Sequence, residues 1–295
     1  MKIVIAGGTG FLGEPLARRL AEHNDVIVLT RDPSHVRAGR GVAWHPPQQG
    51  GWSADVANAD VVINLAGENV GQRWTKSRKP RLVSSRLDST RALVEAMKSA
   101  PSHPRTFISA SAVGYYGPRG DEVVDENSPR GRGFLAGLVE KWEAAAREAE
   151  HVSRLVLPRF GVALDPSGGA LAKMLPPFRL GVGGPVGRGM QWMSWVARED
   201  VLRLVEWAIE RGDARGVYNV TAPEPVRNRD FTRALARALH RPAILPIPPF
   251  VLKVIFGEMA EETLLAGQRA APVRVTADGF VFRLPTIETA LTNIL

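Results

Sequence analysis

Seven residues near the start, Gly7-Gly8-Thr9-Gly10-Phe11-Leu12-Gly13, carry the first recognisable chemistry in this chain. They contain G-x-G-x-x-G as Gly8, Gly10 and Gly13. Glycine lets the chain reverse tightly and lets a pyrophosphate approach the backbone, because no Cβ intervenes. A helix that starts there offers unpaired N–H groups and partial positive charge to the phosphates. A bare glycine pattern is weak. Here it follows the β-branched run Lys2–Ala6 and opens a helical pattern from Phe11 to Glu22, the context such a site needs. A tight turn without ligand is the bland alternative. The next apolar run, Val26–Leu29, ends in Thr30-Arg31-Asp32. An acid at that tip binds a ribose 2′-hydroxyl, whereas an arginine suits a 2′-phosphate. Arg31 arrives first, and a guanidinium grips phosphate bidentately. The expected cofactor is therefore NADP(H) rather than NAD(H).

The elements that must hold these residues are legible in outline. Val61–Leu65, Thr106–Ala110 and Leu155–Leu157 are further solid apolar runs, and Leu82–Ser99 and Leu135–Ala149 read as helices between them. Solid strands alternating with helices imply a parallel sheet covered on both faces, an α/β doubly wound Rossmann fold. Beyond Pro158 glycine and proline become frequent, and shorter helices follow at about residues 199–210 and 229–239. The expected organisation is a Rossmann domain over residues 1–160, an interleaved substrate lobe over 161–245, and a small C-terminal module over 246–295. Later segments are free to return to the first domain.

Composition narrows the function classes. With 44% hydrophobic and 23% charged residues among 295, the chain can build a core, which excludes disorder as its main state. No apolar run reaches the ~18–20 residues of a membrane span. The absence of Cys excludes disulfides and thiolate nucleophiles and is compatible with a cytoplasmic protein. The six histidines lack metal-ligand spacing, so no metal is expected. The net charge is +8, and Arg73, Lys76, Arg78, Lys79, Arg81, Arg86 and Arg91 face Asp88 alone within one stretch. That stretch is either a solvated helix face or a positive wall for a phosphorylated small-molecule substrate. Sparse aromatics and the lack of a binding motif argue against nucleic acid.

GGTGFLG, then NLAG at Asn64–Gly67, then SASAVGYYG at Ser109–Gly117, in that order, resemble the extended short-chain dehydrogenases/reductases, the nucleotide-sugar epimerase and dehydratase group. A closer likeness is to an atypical epimerase-family branch. Its marks here are NLAGEN at Asn64–Asn69, KWEAAA at Lys141–Ala146, GGAL at Gly168–Leu171, PFRLGVGGPVGRG at Pro177–Gly189, NVTAPEPV at Asn219–Val226 and GFVF at Gly279–Phe282. The resemblance implies a cofactor touching Gly7, Thr9, Gly10, Phe11, Leu12, Gly13, Thr30, Arg31, Leu65, Ala66, Gly67 and Arg86. Pro158, Arg159 and Phe160 would border the nicotinamide.

The same resemblance exposes a gap. The group uses Ser/Thr together with Tyr-x-x-x-Lys, whose spacing places Tyr and Lys on one helical face so that the cation lowers the phenol pKa. Ser111 matches the Ser/Thr, but the helix offers Phe134 with Leu138, or Leu135 with Val139. Neither pair can move a proton. Tyr115, Tyr116 and Glu126 are the candidate substitutes, each with packing or capping as its alternative role. Two readings follow: an NADP-dependent oxidoreductase or epimerase, and a non-catalytic NADP(H)-binding sensor or scaffold.

Overall fold

The structure, a computed structural model, describes residues 1–100 and 102–295. The expected strands form as β1 (Lys2–Ala6), β2 (Asp25–Thr30), β4 (Val61–Asn64), β5 (Thr106–Ser109) and β6 (Arg154–Phe160). Two more join them, β3 (Arg40–Ala43) and β7 (Gly216–Val220). The order across the sheet is β7-β6-β5-β4-β1-β2-β3, with every neighbour parallel. The order reverses between β1 and β4, which opens a crevice at the C-terminal ends of the strands. β3 escapes the sequence pattern because an edge strand is held by backbone pairing to β2 and needs little apolar character.

Alternation along the strands splits the core into two layers. Ile3, Ile5, Val26 and Val28 face α1 (Gly13–Leu20) and α6 (Arg198–Glu210). Val4, Ile27, Leu29 and Phe107 face α2 (Trp52–Ala57) and α3 (Arg78–Lys98). Helix α3 starts four residues before the expected Leu82, so it takes in much of the basic stretch. Pro101, which would close it, lies outside the described residues. Helix α4 (Phe134–Arg147) covers the sheet beside α3.

The second lobe has its own core. Leu171, Leu175 and Phe178 of α5 (Gly169–Arg179) pack with Trp195, with Phe231 and Leu235 of α7 (Asn228–Leu239), and with Leu291. Residues 246–295, read in the sequence as one module, are distributed over several cores. Phe280 and Phe282 join the sheet layer, and α10 (Ile287–Ile294) packs on α7. Met259, just after α8 (Pro249–Phe256), packs on Leu138 of α4. β7 returns the chain to the large sheet after the second lobe has begun. Among the described residues no helix is long and apolar enough to cross a membrane, and no cluster of metal ligands is present.

Candidate functional site

The glycine turn lies at the C-terminal end of β1, at the mouth of the crevice. Gly7 has φ of +81°, and a Cβ there would fall 2.9 Å from the backbone of Leu65 and Ala66. At Gly13 a Cβ would fall 2.2 Å from the Gly7 carbonyl oxygen. Glycine is therefore demanded at both positions by backbone, which cannot yield. No side chain caps the first turn of α1, so none competes with an anion there; the Glu14 amide bonds back to the Gly10 carbonyl at 2.9 Å. Thr9 and Gly10 are exposed and Phe11 and Leu12 half-buried. Arg198, which opens α6, lies 5.1 Å from the centroid of the Phe11 ring, and Gly168 and Gly169 at the start of α5 lie against the same ring, so the second lobe meets this turn.

At the end of β2, the two residues weighed in the sequence separate in role. Asp32 accepts hydrogen bonds from the Ser34 amide at 3.0 Å and the Ser34 hydroxyl at 2.6 Å, capping a short helical turn. Those bonds hold its carboxyl below the usual carboxylate range. Arg31 is exposed beside it, with Thr30 half-buried. Both Ser34 bonds land on Oδ1 of Asp32, and Oδ2 lies 3.5 Å from His35 Nδ1.

Leu65, Ala66 and Gly67 follow β4 at the same edge. The Ala66 amide donates to Asn64 Oδ1 at 3.2 Å, which shapes the loop, and Leu65 packs on Phe160 and Trp142. Arg86 of α3 stands against Gly67, where an added Cβ would lie 3.1 Å from its guanidinium carbon. Its guanidinium donates to the carbonyls of Leu82 and Glu68 and stacks on Trp142 at 5.2 Å. Burial lowers it to about 10, with Glu68 opposing, so it keeps its charge at neutral pH. The rest of the basic stretch, read in the sequence as either a solvated face or a positive wall, is partly engaged within the chain. Arg73 donates to the Val254 and Ile255 carbonyls, Lys79 pairs with Glu258, and Arg81 pairs with Glu68 at 2.6 Å. Those cations hold the chain together, and the C-terminal segment supplies much of what they bind.

The proton-handling candidates meet around one buried ion pair. Ser111, just after β5, donates to Glu143 Oε1 of α4 at 2.5 Å. Arg159 of β6 grips the same carboxylate with Nε at 2.7 Å and Nη2 at 2.9 Å. Its Nη1 donates to the Tyr116 hydroxyl at 2.9 Å, and that hydroxyl donates to Asn219 Oδ1 at 2.7 Å. Burial works against the Arg159 charge, but Glu143 more than offsets it and leaves the guanidinium above its ordinary value. Burial also pushes Tyr116 up to about 12, only partly opposed by Arg159.

These contacts redirect three expectations. Tyr116 is fully buried and committed on both sides of its hydroxyl, so it is a brace rather than a proton shuttle at neutral pH. Glu126 accepts from the backbone amides of Asn219 at 3.0 Å and Arg274 at 3.3 Å, and so ties β7 to the C-terminal segment. Arg159 faces Glu143, while its neighbours Pro158 and Phe160 alternate to the other side of the strand. Tyr115 is different. Its ring lies under the Arg159 guanidinium, 3.5 Å from the centroid, and is half-buried. The adjacent Gly114 lies against Leu135, one of the two positions at which the catalytic Tyr would stand. The positions of the missing pair are apolar in space as well as in sequence. Leu138 packs with Trp74, Leu82 and Met259, with Phe134 and Leu135 against them.

Residues 3–221 match the family described as NAD dependent epimerase/dehydratase. The chain belongs to that family. Residues 247–294 match a second model, a domain of unknown function (DUF1731). An epimerase family protein of Mycobacterium tuberculosis is 41% identical over 293 residues, spanning 98% of this chain and 96% of that one. The human epimerase family protein SDR39U1 (isoform 2), solved with NADPH, superposes with a TM-score of 0.90 at 34% identity, over 100% of this chain and 99% of that one. A nucleoside-diphosphate sugar epimerase from Corynebacterium glutamicum gives 0.80 at 33% identity, over 99% of this chain and 57% of that one. The family implies a dinucleotide, and the turn fits one: Gly7 and Gly13 pack backbone on backbone, which leaves Thr9 and Gly10 exposed where a phosphate can approach.

Within that family frame, Glu143 is the residue sequence reasoning missed. Its signal was present. It lies four residues beyond Val139 and eight beyond Leu135, hence on the inward face of α4, and an acid on an apolar face needs a partner. The partner itself could not be named from sequence. Glu262 was missed too. Its carboxylate accepts from the Phe134 and Leu135 amides at 2.7 and 2.9 Å, capping α4 from 127 and 128 residues away.

Proposed function

We propose that the chain binds NADP(H) and acts as an oxidoreductase or epimerase on a small-molecule carbonyl or alcohol, including a sugar or nucleotide-linked sugar. The observation that carries the cofactor choice is the arrangement after β2, where Asp32 turns Oδ1 onto Ser34 and Arg31 stays exposed to a 2′-phosphate. The NADPH in the human relative's structure supports it. When bound, the cofactor supplies or accepts a hydride at its nicotinamide ring. The backbone amides of α1 and the Leu65–Gly67 loop hold the dinucleotide, and Arg86 fixes that loop. Ser111 donates its one hydrogen bond to Glu143, which leaves its oxygen as an acceptor for a substrate hydroxyl. Tyr115 handles the substrate proton, its ring facing the Arg159 cation in place of the missing Lys.

Calorimetric titration with NADPH and NADH, followed by single-turnover oxidation of bound NADPH across a panel of carbonyl compounds, tests this. Tighter NADPH binding and turnover that is lost in Tyr115→Phe are expected. Equal or tighter NADH binding would defeat the cofactor choice, and absence of turnover with every compound would defeat the catalytic one. A second reading, a non-catalytic NADP(H) sensor, is favoured by the packing of Leu138 against Met259 where a proton-transferring side chain would stand. It predicts tight NADPH binding, no turnover, and a cofactor-dependent change in proteolysis after Gly257.

A further inference from the structure

The opposite edge of the sheet holds a feature that the cofactor reading does not use. A cavity of about 660 Å³ opens at the N-terminal ends of β5, β6 and β7. Arg105 directly precedes β5, Arg154 opens β6 and Arg215 directly precedes β7. Thr106 pairs with Arg154, and Gly216 pairs with Val156, so the three arginines are rooted at the entries of three neighbouring parallel strands. Adjacent strands are ~4.8 Å apart, which brings the roots within reach of one small ligand. His103, Glu150, His151 and Ser153 complete the polar part of the lining.

The guanidinium at the centre is fixed in advance. Arg154 donates to Ala214 O at 2.5 Å, Thr106 Oγ1 at 2.8 Å and Ala208 O at 3.0 Å, and none of these acceptors carries charge. Burial, and next the like charge of Arg215, lower it from its ordinary value. Arg274 holds the Arg215 carbonyl at 3.0 Å, so the loop before β7 is also anchored. The nearby acids are already taken, Glu150 by Arg147 and Asp213 by Arg211, each at 2.8 Å. Arg105, Arg154 and Arg215 thus line one concave space in which the one lining carboxylate among the described residues, Glu150, is already paired with Arg147. A phosphate group, with several charged oxygens at tetrahedral angles, suits such a fork of guanidinium donors.

We infer that this cavity is a second anion site, separate from the glycine turn, taking the phosphate of a phosphorylated small molecule or free phosphate. The two ends of β6 are roughly 20 Å apart, so a ligand here cannot share contacts with the dinucleotide.

The test titrates the full chain, first saturated with NADPH, with inorganic phosphate and with glucose 6-phosphate, each against chloride at matched ionic strength. Calorimetry and the thermal midpoint are read. Binding above the chloride control is expected, weakened at least tenfold in Arg105→Ala/Arg215→Ala and unchanged in Arg233→Ala, an exposed arginine of α7 outside both sites. Both substituted residues are exposed, so the fold should tolerate them. Tighter glucose 6-phosphate binding would identify a phosphate ester as the ligand, and equal binding would identify phosphate itself. No response above chloride, or equal binding in the double variant, would overturn the site. If NADPH fails to bind, the titration without it still reads Arg105 and Arg215, so the two proposals fail separately.

Discussion

Glu143 and Arg159 form a bidentate ion pair in the buried seam between α4 and β6, with side chains 5% and 3% exposed. Ser111 donates into that pair and Tyr116 accepts from it, so one charge pair sets the orientation of the candidate catalytic serine and of the tyrosine brace. Loss of either partner strands the other charge in an apolar seam. Glu143→Ala should destabilise the fold by about 3–5 kcal/mol in urea unfolding, the range for breaking a buried pair. Glu143→Gln, which keeps an acceptor for Ser111, should lose less. Loss of under 1 kcal/mol in Glu143→Ala would show that water already reaches the pair.

Tyr116 gives a dependence on pH. Buried, it keeps its phenol proton until about 12, whereas the unfolded chain releases it near 10. Between those values the unfolded state binds fewer protons, so stability falls as pH rises. The fall attributable to Tyr116 is on the order of 2–3 kcal/mol. Tyr116→Phe should cost about 1–3 kcal/mol at neutral pH, by unpairing Asn219 and Arg159, and should flatten the alkaline limb. Chemical denaturation at pH 8 to 12 reads both effects. An unchanged alkaline limb would assign that titration to another group.

Arg31 should discriminate between cofactors. Arg31→Ala is expected to weaken NADPH by roughly 10- to 100-fold, the equivalent of about 1.5–3 kcal/mol for charge-assisted hydrogen bonds, and to leave NADH unchanged. Parallel calorimetric titrations measure the difference. Equal weakening of both would move Arg31's role away from the 2′-phosphate.

Gly13→Ala should abolish dinucleotide binding. Its Cβ would stand 2.2 Å from the Gly7 carbonyl oxygen, so the turn must open. Fluorescence of bound NADPH reads the outcome. Wild-type affinity in this variant would mean that the turn is not the phosphate cradle.

Glu262 caps α4 from the C-terminal segment. Removal of a helix cap costs about 0.5–2 kcal/mol. Glu262→Ala should lose that much stability and should speed proteolysis between α8 and residue 265 while leaving the main sheet intact. Mass spectrometry of limited digests would locate the cuts. Wild-type digestion kinetics would show that other contacts, such as Lys79 with Glu258, suffice to hold the segment.

The residue string by itself determined the glycine turn, the five inner strands, the choice of Arg31 over Asp32 as the phosphate partner to test, and the loss of the Tyr-x-x-x-Lys pair. All of these are local. Strand runs, turn chemistry and helix spacing are written in residues within a few positions of one another. Tertiary structure alone decided the rest. It joined Tyr116 to Arg159 across 43 residues and Glu262 to Phe134 across 128, and it packed parts of residues 246–295 against several cores. It also paired Arg73, Lys79 and Arg81 of the basic stretch with carbonyls and acids at the surface. The physical reason is that a buried charge must find its partner in space. Sequence shows which residue needs one, and only the folded chain shows which residue supplies it.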